Sequence, residues 1–319
     1  MAVSAVIAAV STAGVAITGV GMMSIASIGL TGLFGHFLIS TAMGAVLNAL
    51  VPKPSLGGQS RGYSLNGESG AALDHQIIYG EARVGGVRIY DNATGSNNDY
   101  LHRILAFAGH EIDSYQQIYL NDEVVTLDGS GNVTSPARYN GYVRIKRYYG
   151  TTAQAADTDL IAETASSVDG QWSSNCKLSN IAYLYVRFKY NADKFPNGVP
   201  SVSAVIRGKK LYDPRTTTTA WSDNPALCIR DYITSGYGLD QNSTKVDDDL
   251  IITAADICDE TVSGEKRYTC NGSFTTGFEP NQILSDLLTS MGGLLWYSQG
   301  KWRVKAAKYT TPSVTLNEG

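Results

Sequence analysis

The first 52 residues contain no Asp, Glu, Lys or Arg: the first formal charge is Lys53, and all 25 Lys+Arg and 29 Asp+Glu of this 319-residue chain lie at or beyond it. Apolar side chains at that density must be covered by protein or by lipid. Two runs, about 2–20 and 24–51, are each long enough to cross about 30 Å of hydrocarbon as a helix, with Gly19-Val20-Gly21 between them. The reading is a hydrophobic helical arm over 1–52, with a helical hairpin as its simplest form. A cleaved signal peptide fits poorly, because no basic residue precedes the run and the run far exceeds a 7–15-residue apolar core. Small residues at Gly29, Gly32, Gly35, Ala42, Gly44 and Ala45 suit close helix packing. Insertion in a membrane and burial inside a protein assembly demand the same composition, so both remain open. His36, alone in this run, reads as a packed residue rather than a ligand.

Residues 53–70 (KPSLGGQSRGYSLNGESG) shift to Pro, Gly, Ser and polar residues, which cannot bury enough apolar area to fold alone and read as a linker. From about 71 to 212 short β-like runs are broken by turns: 75–91, 116–128, 142–150 and 182–190, followed by VSAVIRGKKLYDP. Val143 and Ile145 alternate with Arg144 and Lys146, the period-two sign of a half-buried strand. Asn121-Asp122 reads as a hairpin turn and the DGSGN of 128–132 as another, rather than a calcium loop, since the acidic alternation and downstream Glu are missing. From 213 to 319 helices enter. One is expected within 222–238, capped by Ser222 or Asp223 with Pro225 in its first turn. A second is expected at 247–262, with Asp247, Asp248 and Asp249 as capping residues, and a third at 279–293. RYTCNGSF reads as a strand, and LLWYSQGKWRVKAAKY as a hairpin turning at Gln299-Gly300. TTTTAW (216–221) and GSNND (95–99) read as solvated loops. The fold class is mainly β with an α+β C-terminal third.

Specific catalytic signatures fail one by one. Cys176, Cys228, Cys258 and Cys270 contain no C-x₂-C pair, and Cys228 and Cys258 fall on apolar helix faces, as small core residues do. His36, His75, His102 and His110 form no H-E-x-x-H pair, and GHEID at 109–113 carries only half of one. RGKK at 207–210 lacks the spacing of a phosphate-binding loop, and no G-x-S-x-G elbow occurs. No catalytic, cofactor-binding or metal residue is assigned, no cofactor and no small-molecule substrate are expected, and the chain reads as a structural or interaction protein rather than an enzyme. Its net charge of −4 and pI of about 5.6 argue against a dedicated nucleic-acid binder.

Several blocks then occur in order: GVPSVSAVIRGKKLYDPRT and AWSDNPALCIRDY after Gly198, VDDDLIITAADICDE with Cys258-Asp259-Glu260, RYTCNGSF, and the GKWRV hairpin, with IIYGEARVGGVRIY upstream. Together these resemble the central hub, or J-type tip attachment, proteins of long non-contractile bacteriophage tails, over roughly residues 70–319. The resemblance implies β-rich hub domains related to baseplate hubs of contractile tails, and a homotrimer at the distal tip of the virion, made in the bacterial host cytoplasm. It implies contacts with the distal tail protein, other tail-tip proteins and the tape-measure protein, and opening for DNA passage during ejection and host entry. On this reading the arm plugs the lumen or enters the host membrane. Relatives usually continue beyond VTLNEG, so the chain is either a fragment or leaves receptor binding to another protein. The competing reading from a different class is a membrane-anchored bacterial adhesin or pore-forming protein, and a tail-borne cell-wall hydrolase is a third.

Overall fold

A computed structural model describes residues 74–167 and 170–309, together with two short antiparallel strands, β1 (Ala16–Ile17) and β2 (Met23–Ser24). Apart from those strands, the expected helical arm over 1–52 and the linker at 53–70 lie outside the described residues.

From Gln76 the chain forms β3 (Gln76–Tyr79), β4 (Glu81–Gly85), β5 (Val87–Thr94), β6 (Tyr100–Ala108), β7 (Ile112–Leu120), β8 (Glu123–Leu127), β9 (Val133–Ser135) and β10 (Val143–Tyr149). Next come α1 (Thr158–Thr164), β11 (Ala182–Lys189), the long β12 (Val202–Asp213) and β13 (Thr218–Trp221). The last third holds α2 (Pro225–Thr234), α3 (Asp248–Asp259), β14 (Thr261–Val262), β15 (Glu265–Lys266), β16 (Gly272–Thr275), α4 (Pro280–Thr289), β17 (Leu294–Ser298) and β18 (Lys301–Lys305). The described residues are thus mainly β, with four α-helices.

Two antiparallel sheets face each other. One runs β10-β11-β6-β5; the other runs β13-β12-β7-β8-β9, with β4 pairing the first half of β12. Alternation places Leu105 and Phe107, Leu184 and Val186, and Val143 and Ile145 inward from the first sheet, against Ile118, Leu120, Ala204 and Ile206 from the second. The opposite face of the first sheet is covered too: Ile104, Tyr183 and Tyr185 pack against Leu160 of α1 and Trp172. Strand β11 is therefore buried on both faces, which is why AYLYVRFK reads as a nearly continuous apolar and aromatic run.

A separate core gathers α2, α3, α4 and β18 around Leu227, Ile251, Leu287 and Val304, and it draws in Ile77, Tyr79 and Leu211 from the strands. Glycine makes this junction possible. Gly80 sits at φ +61°, and a Cβ there would lie 2.1 Å from the Cys270 carbonyl oxygen. On β12, a Cβ at Gly208 would lie 2.1 Å from the Ile78 carbonyl oxygen, and the Gly208 N–H instead donates to Gly80 O at 2.8 Å.

Most turn expectations hold. Asn121 and Asp122 take φ of +47° and +64°, and Gln299 and Gly300 take +52° and +77°, the left-handed pairs that two-residue hairpins require. Other expectations need correction. The cap of α2 is Asn224, not Ser222 or Asp223: its side chain accepts from the Ala226 N–H at 3.0 Å and donates to Ala255 O at 2.9 Å. The Asp247 side chain makes no capping bond; it pairs with Arg303, and Asp248 with Arg230. RYTCNGSF is extended as a strand only from Gly272, where it pairs with β3. Thr218–Trp221 is not a loop but a strand on the second half of β12, while GSNND is the turn expected. Strand β6 and helix α1 carry no cue strong enough to be read from periodicity: His102 and Arg103 interrupt the apolar pattern of β6, and α1 is only seven residues long.

Candidate functional site

A polar constellation lies at the junction between the two cores. Lys209 and Leu211 share one face of β12 with Arg207 and Asp213, and Leu211 packs into the helical core, so this mixed face carries Lys209 toward the helices. There the Lys209 Nζ lies 3.0 Å from Asp231 Oδ1 and donates to the Tyr237 hydroxyl at 2.9 Å and Ser235 Oγ at 3.2 Å. Asp231, on α2, also accepts from the Tyr79 hydroxyl at 2.7 Å and from Tyr237, and the two phenols meet at 2.9 Å. Burial first, then the Asp231 charge, pushes both phenols well above their ordinary range, so they remain donors. Phe274 packs on Tyr79 with ring centroids 5.6 Å apart. The three ammonium hydrogens are used within the cluster, and the carboxylate is saturated by one ammonium and two hydroxyls. This arrangement ties β3, β12 and α2 together rather than presenting a free acid, base or nucleophile.

Beside it, His110 is buried. Its Nε2 accepts from the Ile78 N–H at 3.0 Å and its Nδ1 donates to Glu111 O at 2.8 Å, an assignment that the backbone partners dictate for the neutral ring. Desolvation lowers its pKa to about 4. The GHEID histidine is thus a backbone bracket between β3 and β7.

A second constellation covers the outer face of the first sheet. Glu163 of α1 accepts from Arg144 Nη2 at 2.9 and 3.0 Å, from Arg187 Nη1 at 2.6 Å and from the Tyr185 hydroxyl at 2.8 Å. His102 is fully enclosed, with Nδ1 at 2.7 Å from that hydroxyl and Nε2 at 2.7 Å from Thr94 Oγ1. Burial lowers its pKa, against the opposing pull of Glu163. Asp157 caps α1 by accepting from Leu160 N–H at 2.6 Å, and it also accepts from Tyr148 at 2.6 Å. Arg144, Lys146 and Tyr148 are the outward residues of β10, so the period-two pattern that buries Val143 and Ile145 also builds this cluster.

Cys228, Cys258 and Cys270 all lie in the helical core, where burial raises the Cys228 thiol. Burial also pushes Cys258 up to about 11, its Sγ lying 3.9 Å from Met291 Sδ, and Cys176 packs with the Trp172 cluster. Among the described residues no group of three His, Cys, Asp or Glu is arranged to hold a metal ion. A cleft of about 430 Å³ opens beside Arg267, Tyr268, Leu294, Lys305 and Lys308.

The residues that carry these clusters, Tyr79, Glu163, Tyr185, Asp231 and Tyr237, belong to no short motif, and sequence reasoning missed them. The usable signal was the Tyr183/Tyr185/Arg187 parity on a strand apolar on both faces.

No protein family matches this chain. In sequence it is similar to the baseplate hub protein pb3 of Escherichia phage T5, 24% identical over 311 residues, covering 76% of this chain and 33% of that protein. The chain therefore spans about a third of the length of the curated relative it matches. A solved structure, the virion of a native gene transfer agent particle, aligns over 89% of this chain and 66% of its own with a TM-score of 0.43 and 17% identity. The sequence relationship makes this a chain similar to a baseplate hub protein of a bacteriophage.

Proposed function

We propose that this protein is a structural component of a bacteriophage tail, acting in the hub at its distal end. The single observation that carries this reading is the sequence similarity to a phage baseplate hub protein over three-quarters of the chain. The internally satisfied clusters are in keeping with it, since Lys209–Asp231 and Arg144–Glu163 each tie elements of the fold together. On this reading the protein is not an enzyme and works without a cofactor.

The finer picture is a J-type homotrimer that closes the tube, meets the tape-measure and neighbouring tail-tip proteins, and opens for DNA ejection into the host. Residues 71–212 and 213–319 act as its β-rich and α+β hub parts, and the uncharged arm over 1–52 plugs the lumen or enters the host membrane. A mildly acidic conduit suits DNA passage, because an attractive basic lumen slows transit.

Immunogold electron microscopy with antibody to residues 53–319, on particles and envelopes from the organism that makes the protein, tests this. Label at the distal end of tails is the expected result. Label on cell envelopes and none on particles overturns it in favour of a membrane-anchored adhesin or pore-forming protein, the reading that the uncharged arm favours.

A further inference from the structure

The β17–β18 hairpin has one edge that no described residue pairs with, and its register fixes which backbone groups face outward. The two-residue turn at Gln299-Gly300 makes Ser298 and Lys301 the closing hydrogen-bonded pair, so Trp296–Arg303 and Leu294–Lys305 are bonded pairs as well. The N–H and C=O groups of Leu295 and Tyr297 therefore point away from β18. The same parity turns the Trp302 carbonyl to the opposite edge, where it accepts from the Asp247 N–H at 2.9 Å. That edge is covered; no described residue bonds to the edge of β17.

Side chains along this edge are those of an interface. Leu294 is 67% exposed and Tyr297 54%, with Trp296 exposed between them. Leu294 and Trp296 share a face with Lys301, Arg303 and Lys305. Lys301 and Lys305 have no ion-pair partner among the described residues, whereas Arg303 pairs with Asp247. Residues 287–317 contain four basic residues and no acidic one, in a chain whose net charge is −4. The cleft of about 430 Å³ lined by Arg267, Leu294, Lys305 and Lys308 opens at the start of the same edge.

We propose that the outer edge of β17 is the docking site of an extended acidic segment of a partner protein, which adds to the hairpin as a third strand. Backbone N–H and C=O groups on the edge match another peptide and not a phosphodiester chain. Alternate side chains of the added strand divide between two faces. Acidic ones lie toward Lys301, Arg303 and Lys305, about 10 Å away across two strand spacings and within roughly one screening length. Apolar ones cover Tyr297. This inference does not rest on the tail reading.

The test is fluorescence anisotropy of the full chain with a fluorescein-labelled peptide, Thr-Glu-Val-Glu-Val-Glu-Thr. Saturable binding is expected, lost for the peptide with Lys in place of Glu. Tyr297→Pro removes an outward N–H while leaving every bonded β17–β18 pair intact, and weakens binding about ten-fold or more. The pair Lys301→Glu and Lys305→Glu weakens it likewise and carries the test should the proline variant lose its thermal midpoint. The proposal is overturned by any of four results: no saturable binding, binding unchanged in the charge-reversed variant, equal competition by a thymidine decanucleotide, or sedimentation showing the edge occupied by a second copy, released by Tyr297→Pro.

Discussion

The junction cluster around Asp231 and the outer cluster around Glu163 are built from the same parts, a carboxylate, basic residues and tyrosines, yet they differ in how their charges are shared. Asp231 faces Lys209 where β12 meets α2, with Tyr79 and Tyr237 enclosing the pair. Glu163 is a quarter exposed and is shared by Arg144 and Arg187 on the outer face of the first sheet. Exposure does not separate the two clusters, since Asp231 is 16% and Lys209 22% exposed; the partners do. Lys209 has no second carboxylate among the described residues, whereas Arg144 also pairs with Asp159, so the same chemistry acts as a lock in one place and as a modest clamp in the other.

Substitutions can break this contrast. Asp231→Ala leaves Lys209 facing the buried Tyr79 and the half-buried Tyr237 with no carboxylate, and a loss of about 2–3 kcal/mol in urea unfolding is expected, at or below the lower end for a broken buried pair because both side chains are partly exposed. The double variant Lys209→Met/Asp231→Leu recovers much of it; failure to recover means that the hydroxyls, not the ion pair, hold the junction. His110 supplies an effect of similar size through pH. The unfolded chain takes up a proton at this histidine near pH 6.5, while the native state resists until about 4, so the unfolded state binds more protons between those values. Stability is full above that window and falls by up to about 3 kcal/mol as pH drops through it. His110→Gln should flatten this slope, with a residue left from His102, whose pKa is lowered in the same direction.

Asn224→Ala, which removes the cap of α2 and its bond to α3, is expected to cost about 1–2 kcal/mol, read as a fall in thermal midpoint. The smallest effect belongs to the outer cluster. Glu163→Gln should cost about 1 kcal/mol, shrinking at high salt, where a loss equal to that of Asp231→Ala erases the distinction drawn above.

Much of this fold is legible in the chain because local rules govern it. The left-handed turns at Asn121-Asp122 and Gln299-Gly300, the alternation of Val143 and Ile145 with Arg144 and Lys146, and Pro225 at the start of α2 follow from backbone sterics and side-chain periodicity alone. Strand β6 was harder to see because its buried His102 is satisfied by Thr94 and by Tyr185, 83 positions downstream, and no local pattern announces such a pairing. Likewise TTTTAW resembles a loop until β12 offers it a ladder.

The uncharged first 52 residues, the hairpin registers, the approximate places of the C-terminal helices and the resemblance to tail hubs are all readable along the chain, because each rests on composition or near-neighbour spacing. That Lys209 meets Asp231 and Tyr79, that Glu163 gathers Arg144 and Arg187, and that no described residue pairs with the outer edge of β17 come from the folded arrangement alone. Those facts depend on which distant strands come to lie side by side, and chain closure over tens to hundreds of residues is set by the packing of whole cores rather than by any local preference.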